Sequence, residues 1–441
     1  MFLIIEGAWQ LFFLFLILIS FGFLCWRKPV YSAAVILFLA PAYLLKINNW
    51  PITILELFLL AFFLCWATKK IKERANFREI FNRLLGLFGS GYLVALVLIL
   101  SGVLISTILS IDWRPGAGIF KAWVLEPIIF SLILAEIIKS KKELKEVVFG
   151  LVAGVVLVAI ASLVYKLFDQ LTFDGRLSGW YFSPNHLAMY LAPGFILAWR
   201  GFFTGEDKKQ KISSALVILI LGLALYFTFS YGAWLGVLGA IVVVLFLAFR
   251  TDPVEKKKII IIGLLVFILF LAIGCWQNDS EKLANLLKFD RSSWQSRIMV
   301  WQAAGKILES HWLFGIGPGL FQKYYLDYQS FFSVPYLEWA VPQPHNLFFA
   351  WWLQGGLLGL IGFLVLLVNY FKNIILVKQK LSKALSSEAL ESNQLLTIFL
   401  TTAIIYILIH GLVDTPYWKN DLALIFWSIV SLSYIAIHCR D

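Results

Sequence analysis

His345 and Asn346 follow Val341-Pro342-Gln343-Pro344 and stand immediately before an apolar run that opens at Leu347. The prolines impose an extended approach, so the histidine is expected at the rim of a helix. An imidazole in that position could accept a proton from a hydroxyl near neutral pH, or could simply make local hydrogen bonds at a helix end. Upstream, Gly315-Ile316-Gly317-Pro318-Gly319-Leu320-Phe321 can turn sharply and offer backbone N–H groups to an anion everywhere except at Pro318. The strand and helix that flank phosphate loops are missing, so a plain turn is the competing reading. Ser292 with Gln295 forms a capping-box pattern, and Trp294, Ile298, Trp301, Gly305 and Leu308 recur at helical spacing. They predict an amphipathic helix over roughly 292–310 that bears Arg297, with tryptophans suited to the lipid headgroup layer. Lys121 and Glu126 are the charges most deeply placed in an apolar run; their spacing puts them on different helix faces and predicts separate partners. A cavity role and a structural role are equally open for them. No group of His, Asp, Glu or Cys with metal-ligand spacing stands in this stretch, so neither metal nor cofactor is expected.

These residues must be positioned by elements that live in lipid. The 441 residues are 61% hydrophobic and 14% charged, with a mean hydropathy of +0.84, more apolar surface than one soluble core can hide. Leu11 to Cys25, Tyr92 to Leu109, Val147 to Leu167, Ile259 to Cys275 and Leu347 to Tyr370 are nearly uncharged runs long enough to span a bilayer. They are apolar on every side, unlike the alternating strands of a barrel. The fold class is therefore an all-α polytopic membrane protein with about 12–13 transmembrane helices. The first run is followed by Trp26, Arg27 and Lys28 rather than a cleavage pattern, and reads as retained. Cys25, Cys65, Cys275 and Cys439 show no paired spacing. The net charge of +11 does not indicate nucleic acid, because the basic residues fall in short clusters between spans: Arg27 and Lys28, Lys69 to Arg74, Lys139 to Lys145, Lys208 to Lys211, Lys256 to Lys258 and Lys378 to Lys383. Placed in the cytoplasm, they leave one long, charge-balanced extracytoplasmic loop. The chain divides into N-terminal transmembrane helices (1–275), this loop (276–345) and C-terminal helices (346–441), all in one membrane unit.

The order of these features resembles the O-antigen ligase and polymerase superfamily of bacterial membrane glycosyltransferases. His345-Asn346, nine residues, then Gly356-Leu357-Leu358-Gly359 is similar to that family's pair at the end of a large periplasmic loop. Arg297 with Trp301 resembles its arginine-tryptophan helix, and Trp312 to Phe321 its glycine-rich stretch. Arg176-Leu177-Ser178-Gly179-Trp180-Tyr181-Phe182-Ser183-Pro184-Asn185 resembles the segment before a further span, and Gly411-Leu412-Val413-Asp414 a late aspartate motif. The likeness runs over most of residues 85–436. One position departs from it: Ser230-Tyr231-Gly232 stands where the family usually has serine-arginine-glycine, so a bidentate cation is replaced by a neutral hydroxyl. Either Arg291, Arg176 or Lys121 compensates from elsewhere, or this chain handles a different donor, or its activity is altered.

The resemblance implies a glycosyltransferase of the bacterial cytoplasmic membrane whose donor is an oligosaccharide on a polyprenyl diphosphate. The acceptor is a glycan or lipid hydroxyl on the outer face. His345 would take the acceptor proton and Arg297 would meet the charge of the departing diphosphate. Asn346, Gly315, Gly317, Gly319, Arg176, Asn185, Tyr231, Asp414, Lys121 and Arg291 would line the substrate site. A polymerase of the same superfamily fits the same features. A small-molecule or ion transporter is the rival from another class, but the two related halves common in transporters are not seen in the sequence.

Overall fold

The computed structural model describes residues 3–5, 7–47, 50–205, 207–248, 264, 268, 292–328, 339–382 and 387–438. Helix α1 spans Ala8–Arg27, α2 Pro29–Phe38, α3 Ile54–Lys72, α4 Phe77–Phe88, α5 Ser90–Ile108, α6 Trp113–Ile119, α7 Glu126–Ile137 and α8 Lys141–Leu167. They are followed by α9 (Pro184–Thr204), α10 (Lys208–Phe227), α11 (Tyr231–Ala248), α12 (Ser292–His311), α13 (Phe321–Tyr328), α14 (Leu347–Ser382), α15 (Ser387–His410) and α16 (Asn420–His438). A π-helical stretch, Phe120–Leu125, joins α6 and α7 into one apolar rod. Two short parallel strands, Leu3–Ile5 and Leu45–Ile47, pair in register Leu3 with Leu45.

Eight helices among the described residues are long and apolar enough to cross a membrane, and Pro29–Phe38, Tyr231–Val243 and Leu395–His410 are shorter apolar helices. The chain is an all-α, multi-pass membrane protein. The anticipated tally of about 13 spans exceeds this partly because charges at both ends of α3 lower its apolar character. The run at 259–275 lies outside the described residues.

Helix starts follow local chemistry. Thr53 caps α3 with Glu56 returning to its N–H, and Ser140 with Glu143 does the same for α8. Ser183 accepts from His186 N at 3.2 Å while Pro184 fills the first turn of α9. Packing between spans relies on missing side chains. A Cβ on Gly102 of α5 would overlap the backbone of Gly359 in α14, and Gly150 and Gly154 of α8 lie as close to Ala34 and Phe38 of α2. Small residues at helix crossings are how backbones approach when lipid removes the ordinary hydrophobic drive. At one end of the bundle Glu136 of α7 binds Lys70 at 3.1 Å and Arg83 at 3.0 Å and accepts from Trp66 Nε1, tying α3, α4 and α7 together. The α16 helix is buried along nearly its whole length and forms the centre of the core.

The predicted helix carrying Arg297 is present as α12, but its apolar face is rotated from the expected one. Val300, Ala303, Ala304, Ile307 and Leu308 are buried against Ile316, Phe321, Tyr325 and Leu353, whereas Ile298 is 39% exposed. Trp294 and Trp301 instead meet edge to face at 5.8 Å. The expected face was counted along the tryptophans, which were assigned to the headgroup layer, whereas alanines, a valine, an isoleucine and Leu308 supply the surface that α13 and α14 cover.

Candidate functional site

The break in α14 sets the position of everything near His345. Gly356 has φ 65° and ψ −175° in the middle of this helix, so the usual bond from Leu357 N to Leu353 O is lost. The glycine-rich stretch replaces it: Ile316 N donates to Leu353 O at 2.7 Å, and Leu357 N donates to Leu313 O at 2.9 Å. Gly315, at φ 69°, comes so near the Leu353 carbonyl that a Cβ would overlap it. Gly315 N closes α12 on His311 O, and Gly319 N donates to Gln354 Oε1 at 3.3 Å. The expectation that Gly315, Gly317 and Gly319 present N–H groups to an anion thus meets a geometry in which Gly315, Ile316 and Gly319 donate to the protein itself. The stretch is a clasp over a broken helix.

On that clasp α14 begins. Asn346 Oδ1 accepts from Phe348 N and Phe349 N, each at 3.0 Å, as an N-cap, while its Nδ2 donates to Leu412 O at 3.0 Å. Leu347 N donates to Gly411 O at 2.7 Å. These bonds fasten the start of α14 to the loop 411–419 between α15 and α16. His345 takes a left-handed φ of 47°, a strained backbone for a residue with a Cβ. That turn directs Nδ1 to Asp414 Oδ1 at 3.2 Å. Trp301 Nε1 donates to the His345 carbonyl at 3.1 Å, and Arg297 Nε donates to Val413 O at 2.8 Å. His345, Arg297, Asn346 and Asp414, dispersed over more than a hundred positions of sequence, therefore meet around one loop.

Asp414 is 3% exposed and its Oδ1 also accepts from Thr415 N at 2.9 Å. Burial works to raise its pKa, but the His345 ring beside it, His410 and the Arg297 guanidinium outweigh burial and hold the carboxyl well below the usual carboxylate range. The carboxylate accepts the Nδ1 proton, which leaves Nε2 of His345 as the nitrogen able to take another. The histidine side chain remains 23% exposed. Its partner's second oxygen, Asp414 Oδ2, is buried without a hydrogen-bond partner among the described residues.

Tyr231 stands next to this loop rather than in it. The neighbouring Gly232 packs so near that a Cβ would lie 3.1 Å from His410 Nε2 and from Val413 Cγ2, and Tyr231 itself is buried edge-on against Trp234 at 5.2 Å. Behind it, Arg176 Nε donates to Thr228 O at 2.8 Å and its other arm to Asn185 Oδ1 at 2.6 Å. Arg176 and Asn185 are thereby brought together and anchor the 170s segment to the chain before α11. Lys121 pairs with Glu56 at 2.6 Å, and Glu126 Oε2 is buried without a hydrogen-bond partner among the described residues; Lys121 and Glu126 do not pair directly, although the charges of Lys121 and Glu56 both act on Glu126. Arg291 and the side chain of Ser292 lie outside the described residues.

Two further groups went unread in the sequence. His186 Nε2 faces Asp421 Oδ1 at 3.4 Å and Tyr43 OH at 3.3 Å, all three buried. Each stands just beyond a segment that was noticed, His186 after Asn185 and Asp421 after Asp414, and a histidine inside an apolar helix was the available signal. Lys419, between the two aspartates, went unremarked because it looks like a helix-flanking charge.

The O-antigen ligase family model matches residues 216–364 of this chain. That segment includes Tyr231, Arg297, the glycine clasp, His345 and the break at Gly356. The match covers about a third of the chain and makes this segment similar to the O-antigen ligase family. No curated protein matches the chain.

Proposed function

We propose, from the premise that the chain is an O-antigen ligase-like membrane protein, that it moves a glycan from a polyprenyl-diphosphate carrier to a hydroxyl acceptor on the outer face of the bacterial cytoplasmic membrane. The observation that carries this reading is the His345–Asp414 pair, with Arg297 bound to the residue before Asp414. In the reaction, the acceptor oxygen attacks the anomeric carbon and its proton passes to His345 Nε2. The bond from that carbon to the diphosphate oxygen breaks, and the diphosphate leaves with the electron pair. Asp414 keeps the imidazole in the required tautomer and balances the charge it gains. Arg297, already oriented by Val413, faces the charge developing on the leaving group. Tyr231, Arg176 and Asn185 shape the neighbouring wall, and the glycine clasp fixes the distance between α12 and α14.

The reading is tested with purified protein, a polyprenyl-diphosphate oligosaccharide and candidate acceptors. Wild type is expected to transfer glycan, and His345→Ala and Arg297→Ala to lose transfer by on the order of 10²–10⁴-fold while keeping wild-type expression and melting temperature. Transfer unchanged in a well-folded His345→Ala protein removes the histidine from the mechanism. Ligase and polymerase are separated in cells lacking the protein: unattached glycan of normal length indicates the former, single repeat units the latter.

A further inference from the structure

The loop 411–419 is held rigidly at its far end. Tyr417 OH donates to Trp123 O at 2.8 Å and receives Trp427 Nε1 at 3.0 Å. The fully buried Trp418 packs on Trp351 with ring centroids 4.9 Å apart. Lys419 follows directly, its N–H bonded to Tyr417 O at 2.7 Å, so its backbone position is fixed from both sides. Its ammonium lies 5.8 Å from the centroid of the Trp123 ring, at the outer limit of a cation–π contact.

The carboxylates nearest in sequence do not neutralise this cation by contact. Asp414 turns Oδ1 to His345 and Thr415 N, and Asp421 turns Oδ1 to His186 at 3.4 Å and Leu422 N at 2.9 Å; the second oxygen of each is buried without a hydrogen bond among the described residues. Among the described residues no carboxylate oxygen stands within 4.0 Å of Lys419 Nζ. Burial pushes the Lys419 ammonium down, and the two aspartates only partly offset it. A half-desolvated cation without a contact ion is costly to keep unless a ligand supplies the anion. Of the other cations around the loop, Lys121 pairs with Glu56 and Arg176 binds Thr228 and Asn185, while Arg297, anchored through Nε to Val413, keeps the leaving-group role proposed above.

We infer that Lys419 binds a phosphate oxygen of the diphosphate on the lipid-linked donor, supplying beside the His345–Asp414 pair the positive charge that Tyr231 does not. This rests on the function proposed above. Lys419 acts on the ground state, holding the diphosphate, and more strongly as the carbon–oxygen bond breaks and the leaving group gains charge.

The test uses full-length protein in phosphatidylcholine nanodiscs, with polyprenyl diphosphate lacking any glycan as the probe and polyprenyl monophosphate and phosphatidylglycerol as comparisons. Lys419→Gln should weaken diphosphate binding about 10–100-fold, the loss expected for one charge-assisted hydrogen bond, and Lys419→Arg should restore most of it. In the wild-type protein, which needs no variant to fold, bound polyprenyl diphosphate should protect Lys419 from amine acetylation read by mass spectrometry. Equal binding by a folded Lys419→Gln protein, or equal acetylation with and without the probe, overturns the inference and leaves the glycosyltransferase reading standing. Protection by phosphatidylglycerol alone makes Lys419 a bilayer headgroup anchor and overturns it as well. Failure of wild type to bind any polyprenyl diphosphate brings down the proposed function itself.

Discussion

A histidine beside an aspartate becomes a base only if the carboxylate stays ionised, and the surroundings of Asp414 secure this. Its carboxyl is held below the ordinary range by His345, His410 and Arg297 against the opposing effect of burial. A carboxyl with a depressed folded pKa contributes stability that is fully present above its unfolded value and is lost only as pH falls through the lower folded value. Between neutrality and about pH 4, close to the unfolded carboxylate value, Asp414 should therefore remain charged. The infrared carboxylic-acid band that Asp414→Asn removes should be absent from wild type throughout that interval, and its appearance near pH 4 would contradict the geometry. The same substitution keeps the volume but lets the amide offer an N–H to Nδ1, stabilising the wrong tautomer. Transfer is expected to fall by on the order of 10²–10⁴-fold, with donor binding nearly unchanged, because Lys419 and Arg297 are untouched. A large loss of donor binding in a folded Asp414→Asn protein would assign the aspartate to the ligand rather than to His345.

Elements place these residues through one break, that of α14 at Gly356. Its positive φ and its closeness to the Leu313 and Phe314 backbone, 2.6 Å from Leu313 O to a built Cβ, exclude any side chain. Gly356→Ala should cost about 1–3 kcal/mol and loosen the clasp that holds α12 against α14. The result to look for is a lowered melting temperature accompanied by lost transfer; an unaffected melting curve would mean the helix can straighten without penalty. This break also shows what the sequence could disclose. Gly315, Gly317, Gly319 and Gly356 were visible as punctuation, and their order marked the family likeness. Their physical role was not, since exchange of hydrogen bonds between two segments depends on tertiary contact. The same holds for α12, whose existence followed from periodicity but whose buried face was decided by the helices it meets. His345 and Arg297, which the structure brings to one loop, could be singled out in the sequence because their motifs are local. The His186–Asp421 pair joins α9 to α16 and had no local pattern to announce it.

At the scale of the whole molecule, the proposed transfer requires that the loop 411–419, the start of α14 and α12 share one aqueous face, since a glycan cannot react from within hydrocarbon. Hydrogen bonds already bring those three together, through Leu347 to Gly411, Asn346 to Leu412 and Arg297 to Val413. The basic clusters at the C-terminal end of α3 and at the starts of α8 and α10 belong on the opposite, cytoplasmic face if the positive-inside bias governs orientation. Glu309 near the end of α12 and Lys209 near the start of α10 are both exposed and report on the two faces. With Cys25, Cys65, Cys275 and Cys439 replaced by serine, Glu309→Cys should react with a membrane-impermeant maleimide in intact spheroplasts. Lys209→Cys should react only after lysis. The reverse pattern would put His345 in the cytoplasm, and transfer at the outer face would have to be abandoned. Labelling of both positions before lysis would instead show leaky spheroplasts, which an internal cytoplasmic marker enzyme detects in the same sample.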